Sequence, residues 1–182
     1  MHNIFFADRR SSSRANFGAV VGTVVRVLGA LIFGAVILAA PPSMAAEWGA
    51  QPGWSVHKTP HGYKTLIELL DNAVKANKMG LVTRASATAG AATLGKTIPG
   101  NMVVGVYRPD FAIRMLEASV PAGIEAPIRF YITENADSTV TLSYKKPSAV
   151  FAPYTDGGAK LKELAAELDV IFAKIAREVA AP

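Results

Sequence analysis

Residues 128–144 read IRFYITENADSTVTLSY, two alternating runs held apart by a short polar stretch. Ile128, Phe130 and Ile132 recur at every second position in the first run, and Val140, Leu142 and Tyr144 do so in the second. Successive side chains of a strand point to opposite faces, so this period belongs to two half-buried strands. Asn135-Ala136-Asp137-Ser138 between them is turn chemistry, and the whole reads as an antiparallel hairpin. A sheet that is apolar on one face must bury that face against another layer. The rest of the chain is therefore read for helices to cover it.

Working outward, Met102, Val104 and Val106 alternate in a further strand, and Pro109 suits the first turn of a helix running to Ser119. Phe111, Ile113, Met115 and Leu116 are expected to turn at least partly inward, with residues 120–126 as a loop. Upstream, Trp54, Val56 and Lys58 alternate with Ser55, His57 and Thr59 in a short strand closed by Pro60-His61-Gly62. Leu66, Ile67, Leu70, Ala73 and Val74 then recur at helical spacing, which predicts a helix over 63–78 with Gly80 as its C-terminal cap. Residues 81–88 read as a strand and 89–100 as a small-residue loop with at most a helical turn. After Pro147 the chain is expected to be irregular as far as Gly158. A last helix over 159–179 carries Leu161, Leu164, Leu168, Ile171, Ile175 and Val179 on one stripe. Hairpin strands with helices gathered to one side predict a two-layer α+β domain, an antiparallel sheet packed against helices, and not a doubly wound parallel sheet.

Residues 1–45 read as an export signal. Arg9, Arg10 and Arg14 precede an apolar core from Val27 to Ala40, and Pro41-Pro42 and Ser43-Met44-Ala45 follow. That core is 14 residues long, within the length of a signal core and short of the roughly 20 that a spanning helix needs. Cleavage between Ala45 and Ala46 is expected, with an exported, periplasmic product. The competing reading takes residues 17–40 as an uncleaved inner-membrane anchor with Arg26 snorkelling, again with the domain outside the cytoplasm. Serines follow Arg9-Arg10 where a twin-arginine signal carries an apolar residue, so the general secretory route is expected. Residues 46–53 read as a flexible lead-in and 54–182 as a single domain.

The leader also explains the charge. Of 19 Lys and Arg and 14 Asp and Glu, residues 1–45 hold four and one, leaving 15 against 13 and a net charge of +2. So small an excess carries no nucleic-acid reading. Without cysteine, disulfides, thiolate catalysis, iron–sulfur clusters and covalent c-type haem are excluded. Roughly 137 residues suffice for one core held by packing alone.

Several residues between 81 and 144 resemble the domain-of-unknown-function 302 family. They are the strand and proline-started helix at 102–109, the Met115-Leu116 pair, Pro121-Ala122-Gly123-Ile124-Glu125-Ala126-Pro127-Ile128-Arg129, and the hairpin followed by Lys146-Pro147. The helix over 63–78 fits the same layout. Val106-Tyr107-Arg108-Pro109 stands here in place of the family's aromatic-Gly-Asn-Pro turn, and Asp137-Ser138 in place of its Asp-Gly. The resemblance implies a compact, antiparallel α+β fold and a homodimer, and brings no established activity.

Candidate chemistry is sparse. His57 and His61 alone follow the leader, and Glu47 or Asp71 joining them would still leave a poor metal site by ligand count. Neither a metal nor another cofactor is expected. Residues 90–97, GAATLGKT, match the phosphate-loop pattern, but Ile98-Pro99-Gly100 forbids the helix that must open after its Lys, so the match is read as a small-residue loop. A Gly-x-Ser-x-Gly elbow is absent. What remains is the polar face of the hairpin, where alternation groups Arg129, Tyr131, Thr133, Thr141, Ser143 and Lys145. An open antiparallel sheet keeps one face solvated, so these polar residues need no function; a ligand or partner, if one binds, is expected on this face near Arg108, with Arg129 and Lys145 available to a small anion. The chain thus reads as a non-enzymatic binding or interaction module. The alternative is a small envelope enzyme using Asp110, Glu125 and Glu134 with basic side chains. A membrane is expected to be met only through an uncleaved leader.

Overall fold

The structure, a computed structural model, describes residues 51–182. The expected leader, its Ala45–Ala46 cleavage site and residues 46–50 of the lead-in lie outside the described residues. The elements run β1 (Trp54–Thr59), α1 (Tyr63–Ala76), β2 (Gly80–Ser86), α2 (Ala87–Thr93), β3 (Asn101–Tyr107), α3 (Pro109–Ala118), β4 (Ile128–Glu134), β5 (Val140–Lys145), α4 (Pro147–Phe151) and α5 (Gly158–Ala180). Short 3₁₀ turns, Pro121–Glu125 and Thr155–Gly157, fill two of the connections.

All five strands form one antiparallel sheet in the order β1-β5-β4-β3-β2. The β4–β5 hairpin lies at its centre, and β1, from the start of the domain, flanks β5. Val104, Val106, Phe130, Ile132, Val140, Leu142 and Tyr144 bury their side chains against α1, α3 and α5. Phe172 of α5 stacks on Phe130 with centroids 4.7 Å apart, and Tyr144 completes the group by tilting against Phe172 at 5.5 Å. Aromatic pairs at these separations add to the free energy of their burial. The two-layer α+β architecture is as the alternation predicts.

Local expectations are corrected at five places. Residues 87 and 88 do not belong to the strand, because β2 ends at Ser86, whose side chain caps the seven-residue α2 that runs into the expected loop. Gly80 does not cap α1. Asn77 is the C-cap, Lys78 adopts the left-handed conformation at φ 59°, and Gly80 opens β2 opposite Tyr107. Ile113 and Leu116 do not face the core, since α3 buries Phe111, Ala112 and Met115, one stripe of the 3.6-residue period, and the other two lie on its outer side. The segment after Pro147 is not wholly irregular, because α4 and a 3₁₀ turn occupy it. Ile171 is only partly buried, and Phe172 beside it is fully buried.

Candidate functional site

The pleat sorts the strand residues that do not face the helices into rows across the second face of the sheet. One row runs Val56, Ser143, Tyr131, Val103, and the next Lys58, Thr141, Thr133, Asn101. Toward the other end Trp54 pairs with Lys145, and Arg129 pairs with Gly105. Arg129 and Lys145 each lie one residue beyond the Phe130–Tyr144 pair on neighbouring strands, so both cations stand at the same end of the face. Opposite Arg129, Gly105 is buried, and the space a side chain would take there is already filled. A Cβ there would come within 2.9 Å of the Pro127 ring and would also meet Thr83.

A recess of about 450 Å³ opens on this face. Trp54 and Tyr131 supply its aromatic surface, Val103, Ile128 and Val150 its aliphatic surface, and Arg129, Lys145 and Glu125 its charge. Lys145 Nζ lies 5.6 Å from the centroid of the Trp54 ring, a cation–π placement. Arg129 Nη2 lies 3.7 Å from Glu125 Oε2, and the other Glu125 oxygen accepts from Tyr154 Oη at 2.8 Å. That hydrogen bond pushes the Tyr154 phenol above its usual pKa, because ionising it would place two negative charges together. Asn101 Nδ2 donates to Tyr131 Oη at 2.6 Å.

Of the residues singled out on this face, Arg129, Tyr131 and Lys145 line the recess together. Thr141 and Ser143 lie on the same face but do not line it. Thr141 is buried and exchanges hydrogen bonds with the Asn135 amide, which tie the β4–β5 turn, and the Ser143 hydroxyl is buried without a hydrogen-bond partner among the described residues. The Thr133 hydroxyl is likewise buried and unpaired. Arg108 belongs elsewhere. It follows Tyr107 by one residue, so the pleat turns it to the helix side, where it forks onto Asp110 at 2.7 and 3.0 Å and lies 4.1 Å above the Phe111 ring. The Asp110 carboxyl is held below its usual range by that guanidinium.

The carboxylates named for the enzyme alternative are also apart. Asp110 is engaged by Arg108, Glu125 by Tyr154, and Glu134 by the Gly100 N–H at 2.7 Å. His57 Nε2 lies 2.9 Å from Ser55 Oγ, while His61 donates to the Ala181 carbonyl at 2.7 Å. Among the described residues no group of three or more His, Asp or Glu side chains is placed to hold a metal ion. At residues 90–97 the helix, α2, comes before Lys96 instead of after it, and the sheet is antiparallel, so the phosphate-loop arrangement is reversed.

Alternation within the hairpin alone does not group Trp54, Val103, Asn101 and Glu125 with its polar face. Alternation in β1 and β3 marks Trp54 and Val103 as sharing a face with their strand neighbours. The strand order that sets β1 beside β5 has no local signal.

The fold has a solved counterpart. A crystal structure titled as an uncharacterized conserved protein DUF302 from Bacillus stearothermophilus superposes with a TM-score of 0.64 at 20% identity, covering 70% of this chain and 98% of that one. A search of curated proteins finds no match. The family model for the domain of unknown function DUF302 matches residues 55–179, from β1 to the end of α5, and the chain belongs to that family.

Proposed function

We propose that the protein is an exported, periplasmic binding module that holds a small anionic ligand on the second face of its sheet. One observation carries the binding reading, the recess of about 450 Å³ in which Trp54 and Tyr131 meet the cations Arg129 and Lys145. Its size lies within the range of about 300–1,000 Å³ usual for small-molecule sites, and its mix of apolar surface with a few convergent polar groups is that of such sites. Export rests on the leader pattern of residues 1–45. Among the described residues no helix is long and apolar enough to cross a membrane, so an uncleaved anchor would have to come from the leader. The enzyme reading draws no comparable support, because Asp110, Glu125 and Glu134 each have a different partner.

A second observation favours self-association. Ile113, Leu116, Val120 and Ile124, on α3 and the 3₁₀ turn after it, are 59%, 46%, 73% and 81% exposed. Four exposed aliphatic side chains in twelve residues form the kind of patch that marks an interface. A second copy of the chain is the occupant proposed, in line with the homodimer expected from the family resemblance.

Native mass spectrometry of protein purified from its own envelope tests these readings together. The expected species is a dimer of chains beginning at Ala46 that carries a retained anion, with the anion lost from the Arg129→Ala/Lys145→Ala double variant. Chains that keep residues 1–45 and stay in the membrane fraction would replace the periplasmic reading with the anchored one. Equal ligand retention by the folded double variant would remove the recess as the site.

A further inference from the structure

We propose that the recess selects an organic monoanion with a flat apolar body, the body lying between Trp54 and Tyr131 and the charged head between Arg129 and Lys145. This rests on the binding reading above and adds the ligand's chemical class.

The shape argument comes from the strand order. Trp54 on β1 and Tyr131 on β4 are separated by β5, and neighbouring strands lie about 4.8 Å apart, so the two rings rise from strands roughly 10 Å apart. Between them, in the row of Trp54, β5 contributes Lys145. Both rings line the recess. A planar ring held against an aromatic wall needs a few ångströms of width, which a strand separation of roughly 10 Å provides, and the apolar Val103 and Val150 favour a body without polar groups. An inorganic anion would fill only a small part of about 450 Å³ and would leave the aromatic surface uncovered.

The charge argument comes from Glu125. Two cations border the recess, and Glu125 Oε2 stands 3.7 Å from one of them. The carboxylate is steadied by the Tyr154 hydroxyl on its other oxygen, so it opposes part of the Arg129 charge in place. The three groups together leave one net positive charge for the ligand. A monoanion satisfies it, and a dianion would face Glu125 uncompensated.

Four probes separate these arguments. Naphthoate, naphthalenemethanol and naphthyl phosphate share one flat body with charges of minus one, zero and about minus two, and inorganic phosphate is a head without a body. Binding to the full-length, isotope-labelled protein is followed by calorimetry and by shifts of the Arg129, Tyr131 and Lys145 amide resonances. Naphthoate is expected to bind one to one at these residues, ~10-fold more tightly than naphthalenemethanol, the factor a charge-assisted contact gives. It should also exceed naphthyl phosphate, and inorganic phosphate should give no saturable shift. Arg129→Ala with Lys145→Ala should bring naphthoate down to the neutral probe. Glu125→Gln should favour naphthyl phosphate over naphthoate relative to the unaltered protein. Tighter binding of naphthyl phosphate than naphthoate, or no response of this ratio to Glu125→Gln, would overturn the monoanion class while leaving a binding recess. Saturable binding of inorganic phosphate, or equal affinity for the neutral probe, would overturn the class in the same way. If none of the four probes shifts the recess residues at millimolar concentration, both the class and the binding reading fall.

Discussion

On β1, His57 places its ring parallel to that of Tyr144 with centroids 6.3 Å apart, and its Nε2 lies 2.9 Å from Ser55 Oγ. Partial burial, and after it the positive charge of Arg177 on α5, hold its pKa below 6.5. The unfolded chain therefore takes up the proton at a higher pH than the folded protein does. It follows that the contribution of neutral His57 is fully present above about 6.5 and is lost as pH falls through the lowered folded value. Asp110, Asp137 and Glu167 are shifted in the same direction by hydrogen bonds to Arg108, Thr139 and Arg114, but from carboxylate values, so their losses come at lower pH. The melting temperature should accordingly fall between pH 7 and pH 5, and His57→Gln should flatten that fall. A variant with the same slope as the unaltered protein across this window would show that His57 does not carry it. The residue scale also shows what sequence could not reveal about the candidate site. Arg129 and Lys145 are legible as neighbours from alternation alone, but the engagement of Arg108 by Asp110 depends on which way the chain turns after β3. The withdrawal of the Thr141 hydroxyl likewise depends on an Asn135 side chain folded back across the turn.

At the scale of the element, the end of α1 shows how a local signal misleads. Gly80 has the residue type and position of a helix stop, but the chain closes the helix two residues earlier. Lys78 N–H bonds to the Lys75 carbonyl and Met79 N–H to the Val74 carbonyl, both at 3.0 Å, and Met79 is buried. This is a Schellman closure with a lysine in the left-handed position that usually goes to glycine. A side chain there costs about 1 kcal/mol in backbone strain, partly offset by the greater freedom of a glycine in the unfolded chain. Lys78→Gly, an exposed site, should therefore raise stability by up to about 0.5 kcal/mol in denaturant titration. A loss of stability would mean that the lysine side chain contributes more than its backbone strain costs. The longer elements were legible because period and length agree. The α1 and α5 stripes and the hairpin alternation each persist over several turns or strand repeats, so an error of one residue does not hide them. The five-residue α4 is too short to show a period, and Pro147 at its start also reads as a break.

For the whole molecule, the fold class followed from the hairpin, whereas the strand order did not, because β1 reaches β5 from more than eighty residues away and nothing in either strand names the other. The recess depends on that order, since it is what brings Trp54 beside Lys145. The outer side of the helix layer is hidden in the sequence for a related reason. Ile113 and Leu116 fit an inward stripe on paper, but α3 needs only Phe111, Ala112 and Met115 to meet the core. The aliphatic side chains left outside are then either an unusual exposed patch or one half of an interface between copies. Ile113, 59% exposed and on the outer side of α3, separates the two. Ile113→Asp removes apolar surface at the patch and sets two like charges close together if the contact is two-fold symmetric. Within one subunit the change should alter stability by no more than about 0.5 kcal/mol, as surface substitutions do. Sedimentation equilibrium should therefore find the unaltered protein dimeric at micromolar concentration and the Ile113→Asp variant monomeric, with dissociation raised ~10-fold or more and the same secondary structure. An unaltered protein that sediments as a monomer at tens of micromolar would leave the patch to some other partner, and a variant that stays dimeric would move the interface away from α3.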